Sequence, residues 1–109
     1  MDANWSTTTH FQRSISQGVT LVDFDAPWCE PCREQAPIIK MIEKAFRETA
    51  HVATLNIDDH QDIALKLGIQ SIPTIIIYKD GKEIKRFIGL QSTETLGSAL
   101  RTAISPSLS

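Results

Sequence analysis

The chain has 109 residues, of which 41% are hydrophobic and 22% charged, and a formal net charge of -2. That length suits one domain over residues 1–109, with roughly two-thirds of the unfolded surface buried, enough for one core without staples. The weakly acidic balance, with no concentrated basic stretch, argues against a nucleic-acid footprint, and no apolar run nears the ~18 residues of a membrane helix.

Residues 1–10 (MDANWSTTTH) lack the apolar core of a secretory signal, so the expectation is a complete cytoplasmic protein. A short strand is expected near Asn4-Trp5, with Trp5 an ordinary core or edge aromatic, then a helix to about Gln17. Residues 19–24 (VTLVDF) form an apolar run with one acid inside it, the pattern of a buried strand. From Pro31 to about Glu48, Ile38, Ile39, Met41, Ile42, Ala45 and Phe46 recur at helical spacing. Pro37 should kink that helix, because proline has no N–H for the carbonyl one turn back. Residues 51–57 alternate as a strand and end at Asp58-Asp59, expected to cap the next helix. Ile63, Ala64 and Leu67 give a short helix closed by Gly68. Residues 73–79 are rich in β-branched side chains, Asp80-Gly81 is a hairpin turn, and residues 82–88 return as a strand. Ser92 caps a last helix with Leu96, Ala99, Leu100, Ala103 and Ile104 on one face, and Ser105-Pro106 stops it. The order β, α, β, α, β, α, β, β, α predicts an α/β protein. Its central mixed sheet has parallel strands plus an antiparallel hairpin, with helices on both faces.

The two cysteines lie in A26-P-W-C-E-P-C-R33, where a strand's end meets a helix's start. A zinc site needs four ligands, yet there are only two cysteines, and His10, His51 and His60 stand far apart. A structural disulfide across two intervening residues closes too small a loop to constrain the unfolded chain much. A redox pair has positive support. Cys29 begins a helix, where unsatisfied backbone N–H groups and the helix dipole favour a thiolate. Cys32, one turn in, is shielded and near enough to attack a mixed disulfide on Cys29. Asp23 is an acid inside an apolar strand. It either points to water at a strand edge or is a buried carboxylate with a raised pKa.

From Val19 to Ile104 the chain resembles the thioredoxin family. The resemblance rests on V22-D-F, A26-P-W-C-E-P-C-R, the helix proline Pro37, L55-N-I-D58, the I72-P-T74 turn, the D80-G turn and Gly89. It implies a thioredoxin fold and a protein-disulfide reductase. In that scheme Cys29 is the nucleophile at the exposed helix end, Cys32 resolves, and Asp23 accepts and returns a proton. It also implies a cis Ile72-Pro73 bond beside the cysteines, leaving the Ile72 backbone free to pair with a substrate strand. Trp28, Glu30, Pro31, Ile72, Pro73 and Gly89 would form the substrate-binding surface. No cofactor or metal is implied beyond a redox-active Cys29-Cys32 disulfide. The implied partners are disulfide-containing protein substrates and a thioredoxin-reductase-type donor using NADPH or ferredoxin, with no nucleic acid and no membrane, the protein acting as a monomer. Two other readings use the same fold: a disulfide oxidant or isomerase, and a binding module whose thiols are incidental. The chain departs from the family pattern at three places. Thr54 stands where many members place a lysine near the buried acid. Asp25 replaces an aromatic or small residue, and Glu30 replaces glycine. With Glu34, three acids are then expected around the thiols, opposed by Arg33 alone. They read either as a solvated face or as an electrostatic filter on partners.

Overall fold

Strand β1 (Val19–Asp25) is buried along nearly its whole length, as its run of apolar residues requires. Its even positions, with Val22 and Phe24, pack under α1 (Thr8–Ser14) and α3 (Gln61–Lys66), while Val19 and Leu21 face α2 (Glu30–Ala45) and α4 (Thr93–Ile104). The structure, a computed structural model, describes residues 8–105; the strand expected near Asn4-Trp5 and the stop at Pro106 lie outside them. Among the described residues the sheet has four strands in the order β2-β1-β3-β4, completed by β2 (His51–Asn56), β3 (Thr74–Lys79) and β4 (Lys82–Ile88). It separates two apolar layers. Phe11, Phe24, Leu55, Ile63, Ile76 and Tyr78 fill one, and Leu21, Ile39, Ile42, Ile75, Ile77, Leu96 and Leu100 fill the other. The α/β architecture with helices on both faces is the expected one.

The sheet is less parallel than alternating strands and helices suggest. Only β1 and β2 run parallel; β1 with β3 and β3 with β4 are antiparallel. The end of β2 and the start of β3 lie at the same end of the sheet, since Leu55 and Thr74 both pair with Phe24. The connection through α3 stays at that end, so β3 runs against its neighbour.

Several boundaries move for local reasons. Helix α1 stops at Ser14, and Gly18 then takes φ 71°, which turns the chain into β1. Helix α2 runs on through Pro37 but ends at Ala45, where Phe46 leaves helical geometry and its carbonyl accepts from Thr49 and Ala50. Helix α3 starts after His60, which makes no side-chain cap, so Asp58-Asp59 is not its cap. Instead the Asn56 carboxamide accepts the Asp58 N–H at 2.8 Å, making a turn before the helix. The hairpin forms as expected at Asp80 (φ 51°) and Gly81 (φ 86°). Ile84 falls out of register on the return strand, a bulge in an exposed edge. Ser92 caps α4 by accepting the Thr95 N–H at 3.1 Å.

Candidate active site

Where β1 ends, the chain turns through Ala26, Pro27 and Trp28 and enters α2 with Cys29 as the N-cap. The Cys29 backbone is extended (φ -88°, ψ 113°), so its sulfur points back over the helix start and accepts the Cys32 N–H at 3.2 Å. Pro31 in the first turn removes a backbone N–H that would have no partner there. Cys29 and Cys32 are disulfide-bonded, with Cα atoms 5.2 Å apart. The Ile72-Pro73 bond is cis, and the Ile72 carbonyl oxygen lies 3.6 Å from Cys29 Sγ.

Exposure does not separate the two sulfurs as expected. Cys29 is only 5% exposed and Cys32 3%, because Ala26, Ile57 and Ile72 close around both. Shape separates them. A groove of about 420 Å³ is lined by Trp28, Cys29, Glu30, Pro31, Ile57 and Ile72, among others, and Cys32 is not part of it. Five of the expected site residues thus meet at one groove. Pro73 adjoins it, and its carbonyl accepts the Gly89 N–H at 2.8 Å, so Gly89 supports this region without lining the groove. Trp28 is 66% exposed and is held at the rim by its indole N–H, which donates to Asp58 at 2.9 Å. Two residues escaped the sequence reading. Asp58 fixes Trp28; its signals were its place in L55-N-I-D58, to which no role was given, and an acid pair after a strand, which was read as a cap. Gln35 is fully buried and bridges the Gln91 backbone, accepting its N–H at 2.8 Å and donating to its carbonyl at 3.0 Å. A polar residue at a core-facing helix position was the available signal.

Asp23 opens elsewhere. Its side chain is 1% exposed on the α2 side of β1, and its Oδ1 has no hydrogen-bond partner. It borders a second cavity of about 130 Å³, shared with Asp25, Ala36, Lys40, Glu43 and Thr54. Burial, helped by the charge of Asp25, pushes its carboxyl up to about 7, so the acid is not a water-facing edge residue. Burial also raises Asp25. Thr54 sits opposite Asp23 in the β1–β2 register, where a long cation is missing. The expected ring of acids around the thiols is therefore divided. Glu30 lies in the groove, Asp25 belongs to the Asp23 cavity, and Glu34 is exposed and lines neither. Arg33 is turned aside, donating to the Pro27 carbonyl at 3.2 Å. Among the described residues no three His, Cys, Asp or Glu side chains converge as metal ligands would.

A cysteine pair at a helix start, a cis proline beside it and a buried acid on the strand that leads to it make up the site. The sequence profile of the thioredoxin family matches residues 3–102. The thioredoxin of Alicyclobacillus acidocaldarius is 42% identical, covering 86% of this chain and 90% of that protein. The thioredoxin of Chlamydia caviae is 40% identical over 80% of this chain and 84% of its own. The crystal structure of Malassezia sympodialis thioredoxin superposes with a TM-score of 0.81 at 25% identity, covering 92% of this chain and 88% of that one. The chain belongs to the thioredoxin family of thiol-disulfide oxidoreductases, and it is a protein-disulfide reductase.

Proposed function

We propose that Cys29 performs the attack on substrate disulfides and Cys32 the resolution. The observation that carries this reading is the Cys29 sulfur at the α2 N-cap, accepting the Cys32 N–H and lining the groove that Cys32 does not reach. A thiolate there is stabilised by backbone N–H groups and by the helix dipole. It attacks one sulfur of the substrate disulfide, and the other leaves as a thiolate. Asp23 takes the proton from Cys32, whose thiolate then attacks Cys29 Sγ. The protein disulfide forms, the second substrate thiolate leaves, and two electrons have passed to the substrate. Trp28, Glu30, Pro31, Ile72 and Pro73 form the docking surface, with Gly89 supporting it. The Ile72 backbone lies beside the sulfur, where an extended substrate segment can pair with it. A thioredoxin-reductase-type enzyme returns the disulfide to the dithiol. No further cofactor takes part, and the protein works as a cytoplasmic monomer, a single domain over residues 1–109. The test is catalytic reduction of insulin disulfides with a dithiol donor. The parent protein turns over and Cys29→Ser does not; turnover by Cys29→Ser at the parent rate contradicts the assignment.

A further inference from the structure

The cavity beside Asp23 contains a second carboxylate that the exchange cycle above leaves unused. Asp23 and Asp25 are two residues apart on one strand, so their side chains leave the same face, about 6.6 Å apart along the strand. Both border the 130 Å³ space, Asp23 buried with an unpartnered Oδ1 and Asp25 half-buried toward its mouth. Ala36, one helical turn past Cys32 on α2, lines that space together with Ile39, Lys40 and Glu43, so it runs beside the resolving cysteine's helix. The mouth is open because Ala36, Lys40 and Thr54 are all exposed.

We propose that Asp25 is a positioning residue for the resolving step, the outer carboxylate of a two-acid passage by which the proton taken from Cys32 passes from Asp23 to solvent. The inference rests on the assignment of Asp23 as the base. In the forward step Asp23 gains the Cys32 proton while the Cys29–Cys32 bond forms and the Cys29–substrate bond breaks. Asp23 is then neutral, and its proton leaves through the cavity to water. Asp25 matters in two ways. It brings a solvated acceptor to the mouth, and its charge opposes ionisation of Asp23, which keeps the inner carboxylate a stronger base.

The other charges facing Asp23 do not cancel this one. On α2 the cavity meets Lys40, which is exposed, and Glu43, which pairs with Arg47 at 3.1 Å; the raised carboxyl of Asp23 comes from burial and Asp25, with no contribution from either. On β2 it meets Thr54, which is uncharged. The α4 side chains packed in the same layer, Leu96, Leu100 and Ala103, are apolar. Asp25 is the charge on Asp23's own strand, and the raised carboxyl of Asp23 carries its contribution.

The experiment follows resolution across pH in single turnovers, using a chromogenic disulfide whose first half leaves on attack and whose second leaves on resolution. Asp25→Asn moves the acid limb of the second phase to lower pH by about half a unit to nearly two units, the Coulomb effect of one like charge at that spacing. Asp25→Glu keeps the charge and leaves the limb near its parent position. In an Asp23→Asn background, Asp25→Asn shifts nothing further. A limb that stays in place in Asp25→Asn, moves equally in Asp25→Glu, or still shifts without Asp23 overturns the role of Asp25. If Asp23→Asn itself resolves like the parent, the base assignment fails as well, so the two failures are distinct.

Discussion

In the proposed mechanism Asp23 serves resolution, while its burial works against stability. Its folded carboxyl, near 7, lies well above the ordinary carboxylate value, so the folded state holds a proton that the unfolded chain releases. Below about pH 4 the group costs nothing. As pH rises from about 4 to about 7 the fold loses stability, on the order of 4 kcal/mol in total, and above pH 7 the cost is complete. Asp23→Asn removes it. The variant melts higher than the parent, with the gap opening between pH 4 and pH 7 and flat above; a lower melting temperature at pH 8 contradicts a buried ionisable base. The same variant should keep the first attack and slow resolution by about tenfold or more at neutral pH. Glu30 is the charged side chain lining the groove. A nearby carboxylate reduces the thiolate fraction of Cys29, but each remaining thiolate is more nucleophilic, so the two effects largely offset. Glu30→Gln therefore changes reduction of a small neutral disulfide by no more than about threefold. It raises the rate with acidic protein substrates most, and salt erases that gain. Equal gains for acidic and basic substrates remove the filter role.

Helix α2 joins the chemistry to the frame. Its first turn holds both sulfurs, and one turn later Gln35 clamps the segment leading into α4 through two hydrogen bonds to Gln91. Gln35→Leu fills a similar volume but leaves both Gln91 groups without that partner, and should cost about 1–3 kcal/mol. Urea unfolding with an unchanged m-value checks this; stability within about 0.3 kcal/mol of the parent shows that water replaces the clamp. The start of α2 was legible in the sequence because proline, cysteine and the strand end mark it together. The end was not, since Phe46 continues the helical spacing while its backbone has already turned. Asp58 was misread for a comparable reason. An acid after a strand suits a helix cap and a tryptophan partner equally, and only the fold brings Trp28 within 2.9 Å.

At the scale of the whole molecule, the sheet carries two apolar layers, and the cysteines follow the end of β1, a central strand that contributes to both. Alternating elements made this layering legible, because periodicity reports which side chains face inward. Strand direction was not legible in the same way. It depends on the end of the sheet at which the connection through α3 returns the chain, which hydrophobic spacing does not report. The cavities were hidden for a related reason. Asp25 and Glu30 are near neighbours in sequence, yet β1 turns one toward Asp23 and α2 turns the other into the groove. The central claim is the division of labour between the two thiols, and trapping tests it most directly. Reduced Cys32→Ser protein is mixed with a disulfide-linked peptide, and its intact mass and peptide map are measured. The account predicts one stable peptide adduct, on Cys29, since attack survives and resolution is lost. No adduct, or sustained turnover by this variant at the parent rate, contradicts it.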